Sequence, residues 1–139
     1  MSAIRKIVCC TDFVANADNA FEVASEMAAE RGAQLYVLNV VSDGEGLAAS
    51  ATQTWLPFKQ SLLERLEAKY TSAKGGAAEV VVREGSPGRT IVDFVSEQGA
   101  DLVVVGARGA GAVAGWLGGG SVAEKVVRNS PVPVLVVPG

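Results

Sequence analysis

Two rhythms of apolar residues run through this chain. Short apolar-rich runs recur at residues 4–10, 35–41, 79–83, 102–105 and 132–137. Their length and valine content predict strands buried on both faces. Between them the apolar residues fall at helical spacing. Residues 16–31 place Ala17, Ala20, Phe21, Ala24, Met27 and Ala28 on one face, and Gly32 stands where a helix-ending glycine belongs. Residues 55–74 repeat the pattern with Phe58, Leu62, Leu63, Leu66 and Tyr70, and Pro57 suits a first turn. Trp55 and Phe58 are expected to pack this second helix on the sheet. Ser86 and Pro87 start a third helix, with Ile91, Val92, Phe94 and Val95 as its buried face. Residues 121–129 form a short last helix. Residues 42–53, rich in Gly, Ser and Ala, read as a loop.

Strand and helix therefore alternate from β to a closing fifth β. This predicts an α/β fold: a three-layer α/β/α sandwich around a five-stranded parallel sheet. In such sheets ligands bind beyond the carboxyl ends of the strands, where strand order reverses. The loops after strand one (Thr11, Asp12) and after strand four (from Gly106) are the candidates. The chain has 139 residues and shows no repeat or linker, so one domain over 1–139 is expected.

Composition narrows the chemistry. About half of the residues are apolar and 19% are charged, which suits a packed core and argues against disorder. The net charge of −3 gives no basic footprint for nucleic acid. No apolar run is long enough to span a bilayer and no signal peptide is present, so a cytoplasmic protein is expected. The absence of histidine removes Ser-His-Asp triads and most zinc sites. Cys9 and Cys10 are adjacent and point to opposite faces of a strand, which makes no disulfide framework and reads as core cysteine.

The densest signal is glycine. Gly106-Ala107-Arg108-Gly109 leaves strand four, and Gly118-Gly119-Gly120-Ser121 leads into the last helix. Residues without side chains let backbone N–H groups converge on an anion, and a helix N-terminus adds free N–H groups and a favourable dipole. Arg108 adds a charge-assisted contact. Plainer readings stand beside this one. Ser121 with Glu124 also fits a capping box. Asp12 also fits a residue that shapes the turn after a strand. The glycines also fit a flexible loop. Residues 109–114 satisfy the G-x-G-x-x-A dinucleotide fingerprint, but the next strand ends without an acidic residue, and no Walker lysine is present. Trp116, inside the glycine-rich segment, suits either a lid or a dimer contact.

Strand one with Thr11-Asp12-Phe13, Gly85-Ser86-Pro87, the stretch from Ala100-Asp101-Leu102 to Gly109, Gly120-Ser121-Val122, and Pro131-Val132-Pro133 with the strand after it resemble the universal stress protein family in order, over essentially the whole chain. Its ATP-binding members carry glycine, two residues, glycine, nine residues, glycine, then Ser or Thr. Here Gly106 and Gly109 match, but ten residues stand before Gly120-Ser121, and counting nine lands on Gly119. The loop is one residue longer than the pattern. The resemblance implies strand order 3-2-1-4-5 and a homodimer through the last strand. It also implies a site for ATP, ADP or AMP, with Mg²⁺ the usual companion of phosphates. Thr11 and Asp12 then lie at the nucleotide, and the Val40 backbone meets adenine. Gly106, Arg108, Gly109, Gly119 or Gly120, Ser121 and Val122 hold ribose and phosphates. The apolar edge strand 132–137 supports the dimer independently, because an unpaired edge of that kind is a liability in a monomer.

Three functions follow as expectations. The first is a nucleotide-binding switch in a stress response, with an unidentified signalling partner. The second is a slow ATP hydrolase, for which Asp12 and Arg108 are the only local candidates. The third is a dimeric interaction protein whose lengthened loop has lost the nucleotide.

Overall fold

The structure, a computed structural model, describes residues 3–11, 15–41, 55–70, 78–106 and 122–138. Five strands and four helices alternate: β1 (Lys6–Cys10), α1 (Ala15–Arg31), β2 (Gln34–Val41), α2 (Trp55–Tyr70), β3 (Glu79–Glu84), α3 (Pro87–Gln98), β4 (Leu102–Gly106), α4 (Val122–Asn129) and β5 (Val134–Val137). The strands form one parallel sheet in the order β3-β2-β1-β4-β5. The expected α/β class and strand order both hold.

Alternation along the strands splits the core into two layers. Ile7, Cys9, Leu35, Val37 and Val104 face α1 and α2, where they meet Ala20, Ala24, Leu62, Leu66 and Tyr70. Val8, Tyr36, Leu38, Val103 and Val105 face α3 and α4, where they meet Ile91, Phe94, Val95, Ala123 and Val126. The small alanines of α1 let that helix lie close over the centre of the sheet. It ends as the sequence predicts: Gly32 takes φ +62° and the Ala33 N–H donates to Ala28 O at 2.9 Å, the 6→1 bond of a glycine C-cap.

Four local expectations need correction. β5 begins at Val134, because the Pro133 carbonyl accepts from the Val103 N–H at 3.1 Å but Pro133 has no N–H to donate back, while the Val132 N–H is turned to Ser130 Oγ at 3.1 Å. Val92 is only half-buried. Gly88 is buried in the first turn of α3 instead, and Val92 lines a cleft of about 330 Å³ between α3 and α4 with Ser86, Arg89, Lys125 and Asn129. Phe58 is 39% exposed, so it lies at the surface of α2 rather than in its buried face. Ser86 precedes α3 in an extended conformation, but its side chain makes no capping bond. The expectations for residues 71–74, for the loop 42–53 and for the side chains of Ala17 and Trp55 fall outside the described residues.

At the amino edge of the sheet, Asp101 ties β4 to β1. Its Oδ2 accepts from the Arg5 N–H at 2.8 Å and the Lys6 N–H at 3.0 Å, and its own N–H donates to Lys6 O at 2.9 Å. These two backbone donors, Arg5 first, hold the carboxyl below its ordinary value, with smaller help from the Arg5 and Lys6 charges. A carboxylate whose folded pKa is depressed adds stability above its unfolded pKa and loses it as pH falls through the folded one. Asp101→Ala is therefore expected to melt lower than wild type at pH 6. The gap should narrow as the pH is taken down below the ordinary value of 3.8. A gap that stays constant over that range in thermal scans would show that the carboxylate charge is not what closes this edge.

Candidate functional site

The chain reverses its direction of travel across the sheet at β1. It runs outward through β2 and β3, then returns to place β4 on the other side of β1. Three predicted site residues stand at the carboxyl edge of these central strands. Thr11 follows β1, Val40 is the next-to-last residue of β2, and Gly106 ends β4. Cys9 pairs with Val104, so Thr11 and Gly106 leave the sheet at the same level. Val122 opens α4 and is 37% exposed. Asp12, Arg108, Gly109, Gly119, Gly120 and Ser121 lie outside the described residues, as does Trp116.

The two faces of this edge differ chemically. Cys10 and Val40 are half-buried on the side covered by α3 and α4. Burial, and then the neighbouring Cys9, push the Cys10 thiol well above its ordinary value; burial alone pushes Cys9 up to about 12. Both cysteines are free thiols, and the shifts keep them protonated and weakly nucleophilic at neutral pH. Cys9 lies on the opposite face, so on this side the strand ends present the uncharged side chains of Cys10 and Val40.

On the side of α1 and α2, Thr11 is buried and bonded. Its N–H donates to Leu38 O at 3.0 Å. Its carbonyl accepts from Asn39 Nδ2 at 2.7 Å. Its hydroxyl lies 2.8 Å from the Tyr70 hydroxyl. Sequence reasoning placed Thr11 and missed both side-chain partners. Asn39 had a signal, a lone amide inside an apolar strand. Tyr70 was assigned only to an apolar helix face, and its hydroxyl reaches the site through tertiary packing.

The sequence profile of the universal stress protein family matches residues 3–138. This chain belongs to the universal stress protein family. A universal stress protein of Methanocaldococcus jannaschii is 33% identical over 139 residues, covering 96% of this chain and 81% of its own. Universal stress protein YxiE of Bacillus subtilis is 33% identical over 131 residues, covering 85% of this chain and 88% of its own. Among solved structures, the universal stress protein UspA of Lactobacillus plantarum shares the fold, with a TM-score of 0.76 at 22% identity over 99% of both chains. A universal stress protein solved in complex with cAMP matches with a TM-score of 0.70 at 28% identity, covering 99% of this chain and 98% of that one.

Within this universal stress protein, the described part of the site offers backbone groups and uncharged surface rather than acid–base chemistry. Among the described residues no group of three or more His, Cys, Asp or Glu side chains is placed to hold a metal ion. None of their helices is long and apolar enough to cross a membrane.

Proposed function

We propose that this universal stress protein is a cytoplasmic, single-domain switch over residues 1–139 that binds an adenine nucleotide at the carboxyl edge of β2, β1 and β4. One observation carries the reading: the sheet reverses at β1, and there Gly106 delivers the glycine-rich segment that leads into α4. The donor set suits the ligand. The half-buried, uncharged side chains of Cys10 and Val40 suit a flat base, with the Val40 backbone beside it. Gly106, Gly109, Gly119 or Gly120, Ser121 and Val122 supply backbone N–H groups for ribose and phosphates, Arg108 supplies charge, and Asp12 lies at the nucleotide. The relative bound to cAMP supports an adenine ligand. ATP with Mg²⁺ is the nucleotide we favour, with ADP and AMP next. With no histidine in the chain, holding the nucleotide is the activity and turnover is at most slow.

The partner we propose is a second copy through residues 132–137. The outer strand β3 carries Glu79, Arg83 and Glu84, charges that blunt an exposed edge. The opposite outer strand, β5, is Val-Leu-Val-Val and carries none.

Calorimetric titration of the nucleotide-stripped protein with ATP and Mg²⁺, repeated on Gly109→Val, tests the reading. Saturable binding by wild type is expected, weakened about a hundredfold or more in the variant, where a branched side chain blocks close backbone approach. One observation favours a second reading: the ten residues between Gly109 and Gly120, one more than the ATP-binding pattern holds. If a folded wild type binds none of ATP, ADP, AMP or cAMP, the protein is instead an interaction dimer of the same fold.

A further inference from the structure

We infer that Thr11 is a buried pivot rather than a nucleotide ligand, and that Tyr70 is a positioning residue that sets the nucleotide site through it. This inference rests on the nucleotide reading above. Every polar group of Thr11 already has a protein partner: Leu38 O for the N–H, Asn39 Nδ2 for the carbonyl and the Tyr70 hydroxyl for Oγ1. All three residues that supply side chains are buried, Thr11 at 6% exposure, Asn39 at 7% and Tyr70 at 1%. The Tyr70 ring is held against Phe21, centroids 4.6 Å apart and tilted by 57°, so its hydroxyl is presented at one point.

Strand alternation places the Thr11 side chain with Ile7 and Cys9, under α1 and α2. The glycine-rich segment feeds α4, which covers the opposite face. A ligand using the Thr11 hydroxyl would have to reach past the sheet edge and compete with a buried bond. The bonds instead fix the backbone at the residue where β1 hands the chain to the site. The last turn of α2, far along the sequence, thereby sets the direction in which the chain leaves the sheet. A pre-set exit spares the nucleotide the cost of ordering it.

The test is a double-mutant cycle read by ATP titration with Mg²⁺, with amide exchange at Thr11 followed in the nucleotide-free proteins. Tyr70→Phe keeps the ring and removes the hydroxyl; Thr11→Val keeps the shape and removes its partner. Each is expected to weaken ATP about fivefold to tenfold, the worth of one buried neutral hydrogen bond, and the double variant no further. Thr11→Ser, which keeps the hydroxyl, should bind within about twofold of wild type. Exchange at the Thr11 amide should rise about tenfold in both single variants. If Thr11→Val loses affinity while Tyr70→Phe does not, Thr11 is a direct ligand and the inference falls. If both bind as wild type, the pair is only structural and the inference falls again. A wild type that binds no nucleotide sinks the nucleotide reading and the positioning role together. In that case the exchange data still decide the pivot, which unchanged exchange in Tyr70→Phe would refute.

Discussion

Phe94→Ala is expected to cost about 3–5 kcal/mol of stability, the range for a large aromatic removed from a core that cannot collapse around the loss. Phe94 is 1% exposed and sits between Ile91 and Val95 on the buried stripe of α3. Its ring meets Tyr36 of β2 edge to face, with centroids 5.6 Å apart at 84°. The Arg83 guanidinium lies 5.1 Å from its centroid on the outer side. Truncation removes the aromatic contact, about 0.5–1.5 kcal/mol by itself, and leaves a void under α3. The nearby ion pair contributes little by comparison. Arg83 and Glu97 stand 3.3 Å apart with side chains 41% and 52% exposed, so Glu97→Ala should cost well under about 1 kcal/mol. Urea unfolding of both variants checks the contrast. A lower midpoint at unchanged slope is expected for Phe94→Ala. A loss below about 1 kcal/mol would mean that α3 is not held on the sheet through this ring.

Phe94 was legible from the sequence because its stripe repeats locally, at i, i+3 and i+4. The same stripe misassigned Val92, since a one-helix pattern contains no information about the second helix beside it. Lys125 of α4 lies so close to Gly88 that an added Cβ would stand 2.8 Å from the lysine Cβ; that packing buries Gly88 and leaves Val92 at the mouth of a cleft. The start of β5 was misread for a related reason. Apolar residues continue upstream to Val132, but Pro133 can accept from Val103 and has no N–H to give, so the paired residues begin at Val134. At the site, the carboxyl-edge placement of Thr11 and Gly106 followed from strand ends alone. The bonds that fix Thr11 did not. They join residues 28 and 59 positions apart, and only the packing of α2 on the sheet brings them together. The periodicity of a chain reports which face a residue takes, not which hydroxyl meets it there.

Gly85→Ala is expected to be the costliest single-methyl change among the described residues, at about 2–5 kcal/mol, because two penalties coincide there. The first is conformational. Gly85 has φ +152°, a region that L side chains avoid. The second is steric, because the added Cβ would run into the hydroxyl of Thr90 in the first turn of α3. The first does not relax easily. The Gly85 N–H donates to Val41 O at 2.9 Å, which extends the β2–β3 ladder by one residue, and the Thr90 N–H donates to Ser86 O at 2.9 Å, which starts α3. Turning the backbone to a negative φ would break the first bond, and the Thr90 hydroxyl can clear the added Cβ only by leaving its present rotamer. Gly32→Ala is the internal control. Its φ is +62°, but nothing lies within 4 Å of the added Cβ, so the left-handed conformation alone should cost about 1–2 kcal/mol. Denaturant unfolding of the two variants side by side separates strain from collision. Equal losses would mean that Thr90 yields freely and that only the backbone angle matters. A clear excess at Gly85 would give a physical reason for the glycine of Gly85-Ser86-Pro87: it is the one residue that lets the end of β3 turn into α3 beneath Thr90 without giving up its bond to β2.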